Sequence, residues 1–224
     1  MDALWIVIPA FNEAQVIADV VAGVRARYSN VIVVDDCSRD ETGTNALRAG
    51  AVVLRHPLNL GQGAALETGI RYALSRGAEY IVTFDADGQH RVADIAVLLD
   101  RQHETGTDVV VGSRFLGAAH GMPPLRRIVL KLAVAFMRLT SGVPMSDAHN
   151  GFRLFTRRAA ERIRIRQNRM AHASEIIEQI GSLGLSISEA PVTIVYTEYS
   201  LRKGQRLGNA VNIIWEMLLA RLHK

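Results

Sequence analysis

The feature that most constrains the fold of this chain is an alternation of short apolar runs with longer stretches of helical period. The runs are rich in Val and Ile and have the length of buried strands, while the stretches between them repeat apolar residues at helical spacing. The predicted strands are 4–8, 31–34, 51–54, 80–84 and 108–111, and the predicted helices are about 13–27, 40–49, 63–76 and 92–104. This alternation predicts an α/β domain with a mostly parallel sheet and helices on its faces.

Beyond residue 117 the regular alternation stops, and residues 120–124 read as a loop. The later patterns predict a basic amphipathic helix at 125–139, a strand at 152–155, a basic helix from 156, a helix at 174–183, a strand at 187–196 and an amphipathic helix at 207–224. Pro191 cannot donate to a strand ladder, so we place the last strand at the edge of the sheet. We divide the chain into two halves of one domain, 1–117 and 118–206, followed by the C-terminal helix 207–224.

Composition limits the class of protein. A chain of 224 residues, 49% hydrophobic and 21% charged, is long enough for one substantial core. Its single cysteine, Cys37, excludes an internal disulfide and a multi-cysteine metal site. No leader pattern precedes the apolar run at Leu4, and no uninterrupted apolar stretch reaches the roughly 18 residues of a membrane span. We therefore expect a cytoplasmic domain that does not cross a membrane.

The charges are unevenly distributed along the chain. Residues 1–117 hold 10 basic and 15 acidic side chains, whereas residues 118–224 hold 16 basic and 7 acidic ones. The second half is suited to an anionic partner, such as a lipid phosphate or the inner surface of a membrane, unless its charges only keep the protein soluble. We expect no nucleic acid as a partner, because the chain has no zinc-finger spacing, no basic helix with heptads and no basic strand with aromatic residues.

Polar residues gather directly after three of the predicted strands. They are Pro9, Phe11, Asn12 and Glu13 after the first strand, Asp35, Asp36 and Ser38 after the second, and Asp85, Asp87 and Gln89 after the fourth. Sheets of this type bind ligands beyond the carboxyl ends of their strands. Each cluster alone could be an ordinary turn, but three at one sheet edge predict a binding site.

The segment Asp85–His90 points to a divalent cation. Two carboxylates separated by one residue can bring Mg²⁺ to a diphosphate, because this ion favours one or two carboxylates completed by substrate phosphates. An EF-hand loop is excluded, because it needs a glycine at its sixth position and a glutamate at its twelfth. In a loop that begins at Asp85, Gly88 is the fourth residue and Ala96 is the twelfth.

A dinucleotide-binding fold is the first alternative, because Gly61 and Gly63 open a predicted helix. Its fingerprint requires a third glycine where this chain has Leu66, and the first strand leads into PAFNE rather than into a glycine turn. We therefore set this alternative aside.

Six motifs in chain order carry a resemblance to a known family. They are IPAFNE at 8–13, VVDDCSRDET at 33–42, NLGQGAAL at 59–66, TFDADGQH at 83–90, GSRF at 112–115 and SDAHNGFRLF at 146–155. Together they resemble glycosyltransferase family 2, the inverting enzymes with a GT-A fold, and within it the bacterial polyprenyl-phosphate enzymes related to dolichol-phosphate mannosyltransferase. The resemblance covers roughly residues 4–200.

The resemblance implies a nucleotide-sugar-binding half at 1–117 and an acceptor-binding half at 118–206. It assigns the donor base and ribose to Pro9, Phe11, Glu13 and Asp36, and it places Gly63 in the donor loop. Asp85, Asp87 and Gln89 would hold Mg²⁺ or Mn²⁺ or the nucleotide, with Asp87 as the main metal ligand. The implied donor is a nucleoside diphosphate sugar.

The resemblance assigns the acceptor side to Arg114 and Asp147. Arg114 would meet a donor or acceptor phosphate, with a salt bridge as its structural alternative. Asp147 would activate or orient the acceptor, with capping or a turn as its alternative. If the acceptor is a polyprenyl phosphate, its oxygen is already ionised, whereas a saccharide hydroxyl would need a general base.

Two departures from the family pattern concern the donor phosphates. Gln62 stands where many relatives have a lysine. Residues 196–206 read YTEYSLRKGQR, where many polyprenyl-phosphate enzymes have an arginine, glycine, serine, lysine pattern, and one of Arg202, Lys203 or Arg206 would contact the diphosphate. The function alternatives are transfer to a saccharide hydroxyl and a non-catalytic protein that binds nucleotide sugars or lipid phosphates. The basic second half and the helix at 207–224 are the candidates for peripheral membrane contact, although such a helix more often packs on its own core.

Overall fold

A computed structural model describes residues 3–141, 143, 145–147, 150–169 and 171–203. The strands are β1 Leu4–Ala10, β2 Asn30–Asp35, β3 Val52–Arg55, β4 Tyr80–Thr83, β5 Val109–His120, β6 Arg153–Thr156 and β7 Ile187–Val195. The helices are α1 Ile17–Arg25, α2 Thr42–Arg48, α3 Gln62–Ser75, α4 Asp94–Thr105, α5 Pro124–Ser141, α6 Arg157–Arg162, α7 His172–Ser182 and α8 Glu198–Lys203. The predicted C-terminal helix at 207–224 lies outside the described residues.

The seven strands form one sheet in the order β3-β2-β1-β4-β6-β5-β7. β6 runs antiparallel to both of its neighbours, and the other pairs are parallel. The sequence prediction of a mostly parallel sheet is confirmed, and antiparallel β6 makes the sheet mixed. β7 is an edge strand, as Pro191 indicates.

Apolar residues on the two faces of the sheet form two cores. Along β1, Ile6 and Ile8 face one cluster, which contains residues of α1 and α4. Val7 faces the other cluster, which contains residues of α3 and α7. This division follows from strand geometry, because successive side chains point to opposite faces. The sheet is therefore the middle of three layers.

β5 is longer than the apolar run at 108–111 predicts, and it continues through residue 117 to His120. The extension exists because β7 runs beside it, with a register shift between Ser113 and Ala118. A Cβ at Gly117 would lie 2.3 Å from the carbonyl oxygen of Val192, so the irregularity depends on a glycine there. A local pattern cannot predict a pairing with residues about 80 positions away. The division of the domain near residue 117 stays a prediction.

No helix in the described part of the chain is long and apolar enough to cross a membrane.

Close packing of α3 on β1 makes Gly69 sensitive to substitution. A Cβ at this position would lie 2.3 Å from Cγ1 of Val7, which is fully buried. We expect Gly69→Ala to lower the free energy of unfolding by about 1–3 kcal/mol through overpacking.

Gly23 in α1 is the matched control, because the nearest atom to its Cβ would be 3.6 Å away, at Val92. Gly23→Ala should raise the free energy of unfolding by about 0.5–1 kcal/mol, since alanine favours helix. Urea denaturation measures both variants. Equal shifts of the two midpoints would contradict the close approach of α3 to β1.

Candidate active site

A cavity of about 450 Å³ opens at the carboxyl edge of the sheet. It is lined by eight of the residues predicted from sequence, namely Pro9, Phe11, Glu13, Asp36, Asp85, Asp87, Gln89 and Arg114. Parallel strands end at the same edge, and antiparallel β6 begins there, so the strand order brings these segments together. The cavity lies within the 300–1,000 Å³ range that is typical of ligand sites.

The strand order also arranges charge along the edge. Asp36 follows β2, Glu13 follows β1, and the carboxylates Asp85 and Asp87 follow β4. Arginines follow on β6 and β5, where Arg153 and Arg114 line the same cavity. One end of the cavity is therefore acidic, the middle carries a carboxylate pair, and the other end is cationic.

Asp36 ties the end of β2 to the loop before α3. Its two carboxylate oxygens accept hydrogen bonds from the backbone N–H groups of Leu60 (2.9 Å) and Gly61 (2.7 Å). Nδ1 of His56 lies 2.7 Å from the same carboxylate, and Nε2 of His56 lies 2.9 Å from Oγ1 of Thr68. Asp36 thus shapes the wall of the cavity, and no sequence pattern singled out its partner His56.

Glu13 receives a hydrogen bond from a residue far along the chain. The hydroxyl of Tyr199 in α8 donates to Oε2 of Glu13 at 2.7 Å. Burial raises the pKa of Tyr199, and the hydrogen bond to Glu13 raises it further. α8, which the sequence patterns did not predict, therefore reaches the acidic end of the cavity. Arg202 and Lys203 lie in this helix, and Arg206 lies outside the described residues.

Asp85 and Asp87 have raised pKa values. Burial raises the pKa of Asp85 to about 6, although the charges of Arg153 and Arg114 oppose the shift. Burial and the charge of Asp85 raise the pKa of Asp87 to about 6. Two partly buried carboxylates that resist ionising together are suited to a divalent cation, whose charge would offset both.

The side chains of the cavity fit a divalent cation whose remaining ligands are oxygens of substrate phosphates. Within the described ranges there is no group of three His, Cys, Asp or Glu side chains arranged as ligands. Two carboxylates are nevertheless enough for Mg²⁺ when a diphosphate and waters supply the remaining oxygens. Nε2 of Gln62 donates to Oδ1 of Asp85 at 3.3 Å, so this residue supports the carboxylate directly.

His90 and Gly151 lie against Asp85, and Phe152 packs on His90. The backbone N–H of Asp85 donates to Nδ1 of His90 at 3.2 Å, while Nε2 of His90 lies 3.4 Å from Oδ2 of Asp85. Burial lowers the pKa of His90 to about 4, so the ring is neutral at pH 7 and stacks on Phe152 with centroids 4.7 Å apart. A Cβ at Gly151 would lie 2.8 Å from Oδ1 of Asp85, so the close approach of this backbone requires glycine.

The cationic end of the cavity is built on a buried ion pair. Nε of Arg114 donates to Oδ2 of Asp147 at 2.6 Å, and the backbone N–H of Arg114 donates to the same oxygen at 3.1 Å. Nη1 of Arg114 donates to the hydroxyl of Tyr196 at 2.7 Å. Burial favours a lower pKa for Arg114, but Asp147 and Tyr196 outweigh it and raise the pKa. Asp147 itself is fully buried and is absent from the cavity lining.

Arg153 is a second buried cation at this end. It is almost fully buried, and burial lowers its pKa to about 10, with the charges of Asp85 and Asp147 opposing the shift. It remains charged at pH 7. Arg153 and His90 both lie inside the motifs that carry the family resemblance. The sequence alone assigned neither residue a role, because their roles depend on burial beside Asp85.

Gly63 does not line the cavity. Its N–H donates to the carbonyl oxygen of Asn168 at 2.8 Å, and a Cβ there would lie 2.0 Å from the carbonyl oxygen of Gln167. The glycines at the start of α3 therefore give space to the loop before α7. A role for Gly63 in contacting the nucleotide sugar stays a prediction.

The mixed sheet, with a carboxylate pair and arginines around one cavity at its carboxyl edge, has the architecture of the GT-A fold. The sequence model for glycosyl transferase family 2 matches residues 5–164, and the chain belongs to this family. It is a glycosyltransferase.

Relatives of known name cover nearly the whole chain. A UDP-N-acetylglucosamine–dolichyl-phosphate N-acetylglucosaminyltransferase of Methanococcus voltae is 30% identical over 99% of this chain and 97% of its own length. An undecaprenyl-phosphate mannosyltransferase of Micrococcus luteus is 31% identical over 96% and 97%. Among solved structures, glucosyl-3-phosphoglycerate synthase of Mycobacterium tuberculosis with Mn²⁺ and UDP-glucose is 19% identical, covers 98% of this chain and 78% of its own, and gives a TM-score of 0.75. The last likeness shows the fold.

Breaking the buried ion pair between Arg114 and Asp147 should strongly destabilise the folded state. Asp147→Asn leaves a buried guanidinium without its counter-charge, so we expect the free energy of unfolding to fall by about 3–5 kcal/mol. The control is Glu104→Gln, because the pair of Glu104 with Arg101 is solvent-exposed and should contribute less than about 1 kcal/mol. Urea denaturation compares the two variants, and equal losses would show that the buried pair is not special.

Proposed function

We propose that the protein transfers a sugar, with inversion, from a nucleoside diphosphate sugar to a polyprenyl phosphate at the cytoplasmic face of a membrane, with Mg²⁺ or Mn²⁺. The observation that carries the proposal is the position of Asp85 and Asp87 in one cavity, between an acidic end and a cationic end. The donor would occupy the acidic end and the middle, and the acceptor phosphate would occupy the cationic end.

The acidic end is suited to a nucleoside. Phe11 is partly exposed beside Glu13, so an aromatic ring and a carboxylate are both available to a base and its ribose. Tyr199 already holds Glu13, which fixes the carboxylate before a donor arrives. Asp36 contributes by shaping the wall of the cavity. Our candidates for contacting the donor diphosphate are the basic residues that follow Tyr199 in sequence, namely Arg202, Lys203 and Arg206.

Asp85, Asp87 and Gln89 would hold the divalent cation. Bound there, the cation would neutralise the departing nucleoside diphosphate. His90 and Gln62 contact the two carboxylate oxygens of Asp85 and orient this side chain. The backbone N–H of Gln89 donates to Oδ1 of Asp87 at 3.0 Å and orients the second carboxylate.

The cationic end is suited to an acceptor that is already ionised. Arg114 uses Nε and one Nη1 proton internally, and its remaining N–H donors have no partner within the described part of the chain. A phosphate oxygen needs no general base, so positioning by Arg114 and Arg153 would be sufficient for attack. Asp147 would act through Arg114 as a positioning residue, since it is fully buried and bonded to that guanidinium.

The relatives support the same acceptor class. Two relatives that cover nearly the whole chain are named as enzymes acting on dolichyl phosphate and on undecaprenyl phosphate. A saccharide hydroxyl would instead require a carboxylate that can take a proton, and the candidate Asp147 already accepts two hydrogen bonds from Arg114.

The raised pKa values of Asp85 and Asp87 allow a test of cation binding. Because the pKa values of Asp85 and Asp87 are raised to about 6, the pair stabilises the folded state at low pH and loses this contribution as the pH rises through 6. We expect Mn²⁺ or Mg²⁺ to raise the melting temperature above pH 6, and the rise to shrink below it as protons displace the cation. Differential scanning fluorimetry over a pH series measures this.

Asp87→Asn should abolish the cation-dependent rise, while Asp19→Asn, at an exposed position of α1, should keep it. A rise of the same size in the Asp87 variant would contradict the proposed ligand.

A transfer assay tests the function itself. Purified protein is mixed with radiolabelled UDP-, GDP- or dTDP-sugars, a divalent cation and a polyprenyl phosphate, and label is counted in the organic phase. We expect one donor class to label the lipid, and Asp87→Asn to reduce transfer by at least about 100-fold, as loss of a major charge-stabilising group does. Asp19→Asn should leave the rate unchanged.

Two outcomes would contradict the proposal. Label found only in a water-soluble saccharide would favour a hydroxyl acceptor. Donor binding by calorimetry without turnover on either acceptor would favour a non-catalytic binding protein.

A further inference from the structure

Arg114 lies in an interruption of the ladder between β5 and β7. The register of the two strands stops at Ser113 and resumes at Ala118, so residues 114–117 are outside this ladder. Irregularities of this kind re-aim side chains next to functional sites. The direction of the Arg114 side chain, which lines the cavity, therefore depends on the contacts that hold the backbone of this segment.

Three consecutive backbone N–H groups of the segment donate to side chains. That of Arg114 donates to Oδ2 of Asp147 at 3.1 Å. Those of Phe115 and Leu116 both donate to Oγ of Ser113 at 3.2 Å. Ser113 and Asp147 are fully buried, so these hydrogen bonds are shielded from water. The backbone of the interruption is thus positioned by one carboxylate and one hydroxyl.

Both acceptors are tied to Glu189 of β7. The backbone N–H of Ser146 donates to its two carboxylate oxygens at 2.8 and 2.9 Å, and the backbone N–H of Asp147 donates to Oε1 at 3.1 Å. The hydroxyl of Ser146 donates to Oε1 at 2.8 Å, and its oxygen lies 2.6 Å from Oγ of Ser113. One carboxylate therefore holds both the residue before Arg114 and the residue that pairs with it.

Glu189 also fixes the direction of the hydrogen bonds between the two serines. A carboxylate accepts hydrogen bonds and does not donate them, so the single hydroxyl proton of Ser146 points to Glu189. Ser146 must then accept the hydroxyl proton of Ser113. The oxygen of Ser113 is left to accept the N–H groups of Phe115 and Leu116. The order of donors and acceptors around Arg114 therefore begins at Glu189.

We propose that Glu189 is a positioning residue of the transfer reaction, which sets Arg114 for the acceptor phosphate. It acts through the two serines and Asp147, because Glu189, Ser113 and Ser146 are absent from the cavity lining among the described residues. The proposal rests on the proposed function, in which Arg114 contacts that phosphate. It adds that the affinity for the acceptor, and not for the donor, is controlled from β7.

Glu189→Gln tests the proposal. The amide would place an NH₂ group where an oxygen now accepts the N–H of Ser146, so two donors would face each other. With a short, water-soluble prenyl phosphate as acceptor, we expect the KM for the acceptor to rise about tenfold, as loss of a hydrogen bond to a charged group does. The KM for the nucleotide sugar should stay unchanged. Initial rates over a series of each substrate measure both constants.

A merely structural role would give a different result. A smaller folded fraction would lower the apparent kcat and leave both KM values unchanged, and this outcome would overturn the proposal. Ser146→Ala removes the hydroxyl between Glu189 and Ser113 and should raise the acceptor KM about threefold. Ser146→Thr keeps a hydroxyl and should restore the wild-type value. Equal acceptor KM values for the two Ser146 variants would overturn the proposed hydroxyl chain.

Asp108→Asn is the matched control. Oδ2 of Asp108 accepts the N–H and the hydroxyl of Ser186 at 2.9 and 2.8 Å, as Glu189 does with those of Ser146. Asp108 and Ser186 directly precede β5 and β7, at the amino ends of the same two strands and away from the cavity. This variant should keep both KM values. A rise in acceptor KM equal to that of Glu189→Gln would indicate a general weakening of the strand pair and overturn the proposal.

Calorimetric titration with the prenyl phosphate separates this inference from the proposed function, because it needs no turnover. The wild-type protein should bind the phosphate, and Glu189→Gln should bind it about tenfold more weakly. Equal affinities would overturn the role of Glu189, even if the wild-type protein transfers sugar. Binding by the wild-type protein without transfer would overturn the proposed function and leave this role intact. Absence of binding by the wild-type protein would overturn both.

Discussion

The parallel pairing of β1 with both β2 and β4 is the constraint on which the rest of the structure depends. Residues 5–10 of β1 pair with 30–35 of β2, and residues 4–7 pair with 80–83 of β4. Because these strands run the same way, the segments that follow them meet at one edge. Antiparallel β6 then contributes its first residues to that edge. A cavity lined by groups from distant parts of the chain follows directly from this arrangement.

Within that edge, electrostatics decides what each end of the cavity can bind. Asp85 and Asp87 are too buried to ionise together at low cost, which is why their pKa values are raised. Arg114 and Arg153 remain charged despite burial because carboxylates lie close to both. Since β4 lies next to β6 in the sheet, the carboxylate pair lies next to the cationic end of the cavity.

The sequence predicted most of the elements because strand and helix periods are local properties. Its errors occur where partners are distant in the chain. β5 extends past its apolar run because β7 pairs with it, and α8 has no strong pattern of its own although Tyr199 reaches Glu13. His90 and His56 were missed for the same reason, since a lone histidine in a loop has no pattern that reveals its neighbours.

The sequence by itself determined the α/β class, the family and the clusters Pro9–Glu13 and Asp85–Gln89, because these depend on residue type and on short spacing. The tertiary structure decided how those groups are used. It buried Asp147 behind Arg114, turned Gly63 toward the loop before α7, and tied the backbone N–H of Asp147 to Glu189. These outcomes depend on burial and on contacts between residues far apart in the chain, which periodicity does not encode.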